Sequence, residues 1–87
     1  MPREDKALAA MRRNPRGDWR IEDLKRLADR HGIPYRQPGT SHVTFAPTEA
    51  RPLTVPARKP IKPVYVRLFV RMIEDLTHAK ESREGDD

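Results

Sequence analysis

A chain of 87 residues carrying 18 Lys and Arg against 13 Asp and Glu, a net +5, has room for one small domain and no more. Such a domain buries only about 60% of its unfolded surface and has little stability to spare. The absence of cysteine excludes a disulfide framework and a thiolate metal site, and no apolar run approaches the ~20 residues of a membrane span.

The chain opens on a short helical pattern, Glu4 to Arg12, with Leu8 and Met11 on one face and Asn14-Pro15 as its stop. Asp18 is a good N-cap for a second helix, Trp19 to His31, with Glu22 and Asp23 favourably near the positive end of its dipole. Ile21, Leu24, Leu27 and Ala28 fall at i, i+3, i+6 and i+7, an apolar stripe, and Gly32 supplies a left-handed stop. From Ile33 the period changes to two. Ile33 to Gln37 reads as a short strand interrupted by Pro34, His42 to Ala46 as a second strand, and Pro52 to Val55 as a third, joined to the second by the loop 47–51. Pro56 to Pro63 holds three prolines and the cations Arg58, Lys59 and Lys62, a stiff basic arm. Pro63 suits the first turn of a last helix in which Tyr65, Leu68, Phe69, Met72, Ile73 and Leu76 recur at helical spacing. Residues 1–78 are expected to form the domain and 79–87, a charged run, a disordered tail.

Charge points to a partner. The tail holds two basic and four acidic residues, so the remainder carries sixteen basic against nine acidic, a net +7. That balance in so small a domain favours a polyanion, nucleic acid before membrane, since no basic amphipathic helix with an aromatic face is present. A solvated basic surface without a partner is the bland alternative. With no signal-peptide core near the N-terminus, the expected location is the cytoplasm.

One stretch carries candidate chemistry. In Gly39-Thr40-Ser41-His42-Val43-Thr44-Phe45, loop formers give way to strand formers, so His42 falls where a turn becomes a strand. An imidazole there is held by backbone pairing on one side and open to solvent on the other, which is what a proton-transfer residue needs. A strand histidine with no role is the common alternative for a lone His. Ser41 is either a second catalytic group or a turn hydroxyl bonding its own backbone, the commoner case. His31 reads as a helix C-terminal residue and His78 as the end of the last helix. Neither stands with carboxylates or other histidines at metal-ligand spacing, so neither a metal nor any other cofactor is expected.

This stretch resembles the HicA family of small toxins, in which a Gly-x-Ser-His-x-x-Phe-like segment carries the histidine needed for messenger RNA cleavage. The resemblance extends to Arg13-Asn14-Pro15 and Trp19-Arg20-Ile21-Glu22-Asp23-Leu24 before the long helix. It continues in Leu53-Thr54-Val55-Pro56-Ala57 and Pro60-Ile61-Lys62-Pro63-Val64-Tyr65-Val66 at the third strand and the last helix, and covers roughly residues 13 to 76. Thr40 departs from the pattern, where a second glycine is expected. The resemblance implies an α+β, double-stranded-RNA-binding-domain-like fold: a helix, a three-stranded antiparallel sheet and a C-terminal helix, with room for an extra short helix at the N-terminus. It implies a metal-independent endoribonuclease with His42 as general acid or base, mRNA as substrate, and a HicB-like antitoxin as protein partner. Recognition in such a fold is by shape, phosphates and 2′-hydroxyls. The candidate RNA contacts are Gly39 and Thr40 of the turn with Arg36, Arg58, Lys59 and Lys62. A non-catalytic RNA-binding module of the same fold is the alternative.

Overall fold

In a computed structural model, which describes residues 5–39 and 41–85 of the chain, with side chains as far as His78, three helices accompany one three-stranded antiparallel sheet. The order is α1 (Lys6–Arg13), α2 (Ile21–Arg30), β1 (Tyr35–Arg36), β2 (His42–Phe45), β3 (Leu53–Pro56) and α3 (Pro63–Gly85). The sheet runs β1-β2-β3. None of the described helices is long and apolar enough to cross a membrane.

Helix α1 begins at Asp5, whose carboxylate accepts from the Ala7 N–H at 3.0 Å and the Leu8 N–H at 3.4 Å. Leu8 and Met11 are buried, as the spacing predicts, and α1 packs against α3. Glu4, the expected start, lies outside the described residues. The Asp5 carboxylate also ties α1 to the end of α2. It accepts from Arg30 Nε at 2.9 Å and Nη2 at 3.1 Å, and His31 Nε2 lies 3.4 Å away. The Arg30 hydrogen bond is the largest of the influences that hold the Asp5 carboxyl below its ordinary value of 3.8. A carboxyl with a depressed native pKa stabilises the fold above the ordinary value, and that contribution is lost as pH falls through the native one. Asp5→Asn therefore destabilises the chain at neutral pH, and the gap in unfolding midpoint between parent and variant closes as pH drops below 3.8. A gap independent of pH in a urea titration series would show that the charge at Asp5 contributes nothing.

Helix α2 corrects one expectation. Asp18 is not its cap. The Arg20 guanidinium takes that carboxylate at 3.0 and 3.1 Å, and the helix starts two residues later than expected, at Ile21. Arg20 is the N-cap residue, and Asp23 reaches back to accept from its N–H at 2.9 Å. A guanidinium two residues away competes for the acid more strongly than neutral amides do. Trp19 sits half-buried against the core and donates its indole N–H to the Asn14 carbonyl at 2.7 Å. Ile21, Leu24, Leu27 and Ala28 are all buried, and Gly32 ends the helix at φ +68°, a left-handed conformation that suits glycine.

Two of the strands are shorter than the sequence suggests. Ile33 spends its N–H on the Ala28 carbonyl and Pro34 has none, so β1 is reduced to Tyr35 and Arg36. Ala46 leaves β2 but still donates to the Pro34 carbonyl at 2.8 Å. β3 is displaced by one residue, to Leu53–Pro56, and lies at a sheet edge, where proline is tolerated. The register pairs Tyr35 with Phe45, Arg36 with Thr44, His42 with Pro56, Val43 with Val55, Thr44 with Thr54 and Phe45 with Leu53.

Strand alternation sends Val43, Phe45 and Val55 inward, all wholly buried, against α2 and α3. Phe45 stands between the rings of Tyr35 and Phe69, with centroids 5.7 and 4.8 Å away. In α3 the buried face is Val66, Phe69, Val70 and Ile73, with Met72 beside it, while Leu68 is 45% exposed and Tyr65 and Leu76 only half-buried. The expected stripe through Leu68 is thus turned partly to solvent. The run Val64 to Ile73 is apolar on more than one side, and packing chose the face. Helical backbone continues to Gly85, past the boundary at 79 where a disordered tail was expected, because Lys80 to Glu84 includes no helix breaker. Residues 86–87 lie outside the described residues.

Candidate functional site

No described helix or strand covers the side of the sheet turned away from the helices, and His42 stands on it. As the first residue of β2 its backbone is fixed in the ladder opposite Pro56, and its side chain, alternating with buried Val43, is exposed. One step further out, the Ala57 N–H donates to the Ser41 carbonyl at 2.8 Å, so the ladder extends past the imidazole on its turn side. The combination is the one the sequence predicts: a histidine with a rigid base and an open ring. No hydrogen bond or ion pair among the described residues reaches that ring.

Register decides which of the other candidates join it. Arg36 lies opposite Thr44, which makes it the diagonal neighbour of His42 across the β1–β2 pair. Such neighbours have Cα atoms about 7–8 Å apart, within reach of a long side chain. Arg36 is exposed and has no acidic partner among the described residues. Arg58 follows Ala57 directly and leaves the sheet beside the turn that precedes His42. Lys59 comes next, before a cis peptide bond to Pro60.

Lys62, exposed, follows a residue that anchors the arm. Ile61 is 1% exposed, sunk into the core, and its N–H donates to the Trp19 carbonyl at 2.8 Å. That anchor fixes the end of the arm, and Lys62 sits at the start of α3, where its carbonyl accepts from Tyr65 and Val66. The basic arm is therefore stiff for a reason beyond its prolines: an apolar residue within it is part of the core. A lone Ile between prolines and cations is a signal that sequence reading passes over.

Of the turn residues, Gly39 is exposed, with no heavy atom within 4 Å of the position a Cβ would take, and its φ does not require glycine. Thr40 lies outside the described residues. The Ser41 hydroxyl is exposed and no hydrogen bond connects it to the His42 imidazole, so geometry unites Ser41 with His42 through the backbone alone. The turn is tied back to α2 at Gln37, whose Oε1 accepts from Lys25 Nζ at 2.6 Å. The Lys25 ammonium also sits 5.9 Å from the centre of the Tyr35 ring.

Two residues that sequence reading did not single out complete this face. Thr44 and Thr54 are opposite one another and their hydroxyls are 3.0 Å apart. Their period-two spacing from His42 and Pro56 was the available sign. Elsewhere, a groove of about 350 Å³ runs between α1 and α3, with Met11 and Val70 in its lining and Arg67 and Arg71 among the charges at its edge. Among the described residues no three His, Cys, Asp or Glu side chains gather as metal ligands. Comparisons with protein-family models, with curated proteins and with solved structures found no match to this chain.

Proposed function

We propose that this chain is a metal-independent endoribonuclease acting on mRNA in the cytoplasm, a HicA-like toxin with His42 as its general acid or base. The observation that carries the reading is the diagonal placement of exposed Arg36 beside exposed His42 on an uncovered sheet face. The element order from α2 to α3 also follows the double-stranded-RNA-binding-domain-like pattern, with α1 as the addition. The net charge of +5 supports a polyanionic substrate.

The nucleophile comes with the substrate. A ribose 2′-hydroxyl loses its proton to the His42 imidazole as its oxygen bonds to the adjacent phosphorus. The bond from phosphorus to the 5′-oxygen breaks, a 2′,3′-cyclic phosphate remains, and the departing oxygen takes a proton from water or from His42 in its acidic form. The Arg36 guanidinium, and Arg58 from the turn side, steady the charge that grows on the phosphoryl oxygens. Cleavage of a long single-stranded RNA by the parent chain in EDTA is the expected result. The competing reading, an RNA-binding module without chemistry, draws support from the lack of any described side chain orienting the imidazole. Binding without product would decide for it.

Such an enzyme needs masking. A HicB-like antitoxin with an acidic surface complements the cationic face around His42 and would cover it. Saturating antitoxin is expected to stop cleavage and to protect His42 from imidazole-directed chemical modification. Inhibition with His42 still reactive would place the antitoxin elsewhere.

A further inference from the structure

Resting on the ribonuclease reading, we infer that Arg36, Thr44 and Thr54 form a second phosphate subsite, which holds the phosphodiester next to the one cleaved at His42. The three residues make one row across the sheet: Arg36 opposite Thr44, and Thr44 opposite Thr54. All lie on the uncovered face, Arg36 and Thr54 exposed and Thr44 half-buried. The row binds anions for a definite reason. Between the two hydroxyls, 3.0 Å apart, one hydrogen is shared, so the second O–H remains free to donate outward. A guanidinium with no acidic partner among the described residues supplies the charge and further donors at the β1 end. Hydroxyl and guanidinium groups are the usual partners of phosphate oxygens in nucleic-acid interfaces.

Spacing sets the row's relation to the chemistry. His42 is two residues from Thr44 along β2, about 6.8 Å at the antiparallel rise. That separation matches the step between consecutive phosphates of an extended ribonucleotide strand. A strand lying along β2 thus presents one phosphate to His42 and the next to the threonine row. The ligand is therefore single-stranded RNA, whose backbone can extend along one strand. The row is a positioning device and takes no part in proton transfer.

The test is a comparison of substrate lengths with the double variant Thr44→Val, Thr54→Val, which keeps the β-branched shape and both backbones and removes both hydroxyls. On a dinucleotide, which has only the scissile phosphate, parent and variant are expected to cleave at the same rate. On a tetranucleotide the variant's KM should rise about tenfold with kcat unchanged, whereas Arg36→Gln, which also removes charge from beside the scissile phosphate, should in addition lower kcat on both lengths. Equal kinetics of variant and parent on the longer substrate would overturn the subsite, as would an equal loss on both lengths. If the parent cleaves neither substrate, the ribonuclease reading fails first. The row is then judged by fluorescence anisotropy with the tetranucleotide: affinity unchanged in the double variant refutes it, and affinity weakened about tenfold sustains it as an RNA contact.

Discussion

His42→Ala is expected to lower RNA cleavage in EDTA by about 10²–10⁴-fold, the usual contribution of one positioned proton-transfer group. In the proposed mechanism the loss should fall on kcat, because the imidazole would handle a proton in the transition state while the cations beside it are unchanged in the variant. The fold should not notice the change. The side chain is exposed, no hydrogen bond or ion pair among the described residues reaches it, and alanine keeps the backbone pairing opposite Pro56. Surface changes of this kind shift stability by within about 0.5 kcal/mol. Thermal unfolding of the two chains should therefore coincide while their rates diverge. Cleavage by His42→Ala at the parent rate would remove His42 from the mechanism, and a variant that bound RNA less well with the same kcat would make it a contact only.

Phe45→Ala should be the most damaging single change to the fold, at about 3–5 kcal/mol. Phe45 is wholly buried on the central strand, and it joins the sheet to α3 through Phe69 and to β1 through Tyr35. Alanine would leave a void whose walls are a two-residue strand and a long helix, neither of which can move in without breaking register. Domains of this size have total stabilities of about 5–15 kcal/mol, so the loss consumes a large share of what is available. Urea unfolding followed by circular dichroism should show a much lower midpoint, and the variant should lose activity through unfolding rather than chemistry. A midpoint displaced by less than the equivalent of about 1 kcal/mol would mean that the core repacks around residue 45.

These two residues, three apart in β2, illustrate what a linear reading can and cannot see. The alternation of Val43 and Phe45 with His42 and Thr44 is visible in the letters, and so is the consequence that His42 faces away from the core. The stripe of α2 was equally legible, because Ile21, Leu24, Leu27 and Ala28 admit only one apolar face. The stripe of α3 was not. Its first ten residues are apolar on two sides, and the choice of Val66 and Val70 over Leu68 came from α1 and the sheet, against which α3 packs. Asp18 had the right chemistry for a cap, but Arg20 offered it a stronger partner and Asp23 did the capping. Local rules name the candidates at such positions, and competition among neighbours selects one.

By itself the sequence determined the class of the molecule: a small basic α+β domain, an exposed histidine at a turn-to-strand junction, and cations enough for a polyanion. Those features depend on composition and on short-range periodicity, which act within a few residues and need no partner element. Only the tertiary structure decided which cations share a face with His42. Arg36 joins it because β1 pairs with β2 in one register, and the arm that carries Arg58, Lys59 and Lys62 is fixed where Ile61, buried, bonds to Trp19. Register and burial are settled by contacts between residues far apart in the chain, each worth little until the others form, and no window of sequence contains them.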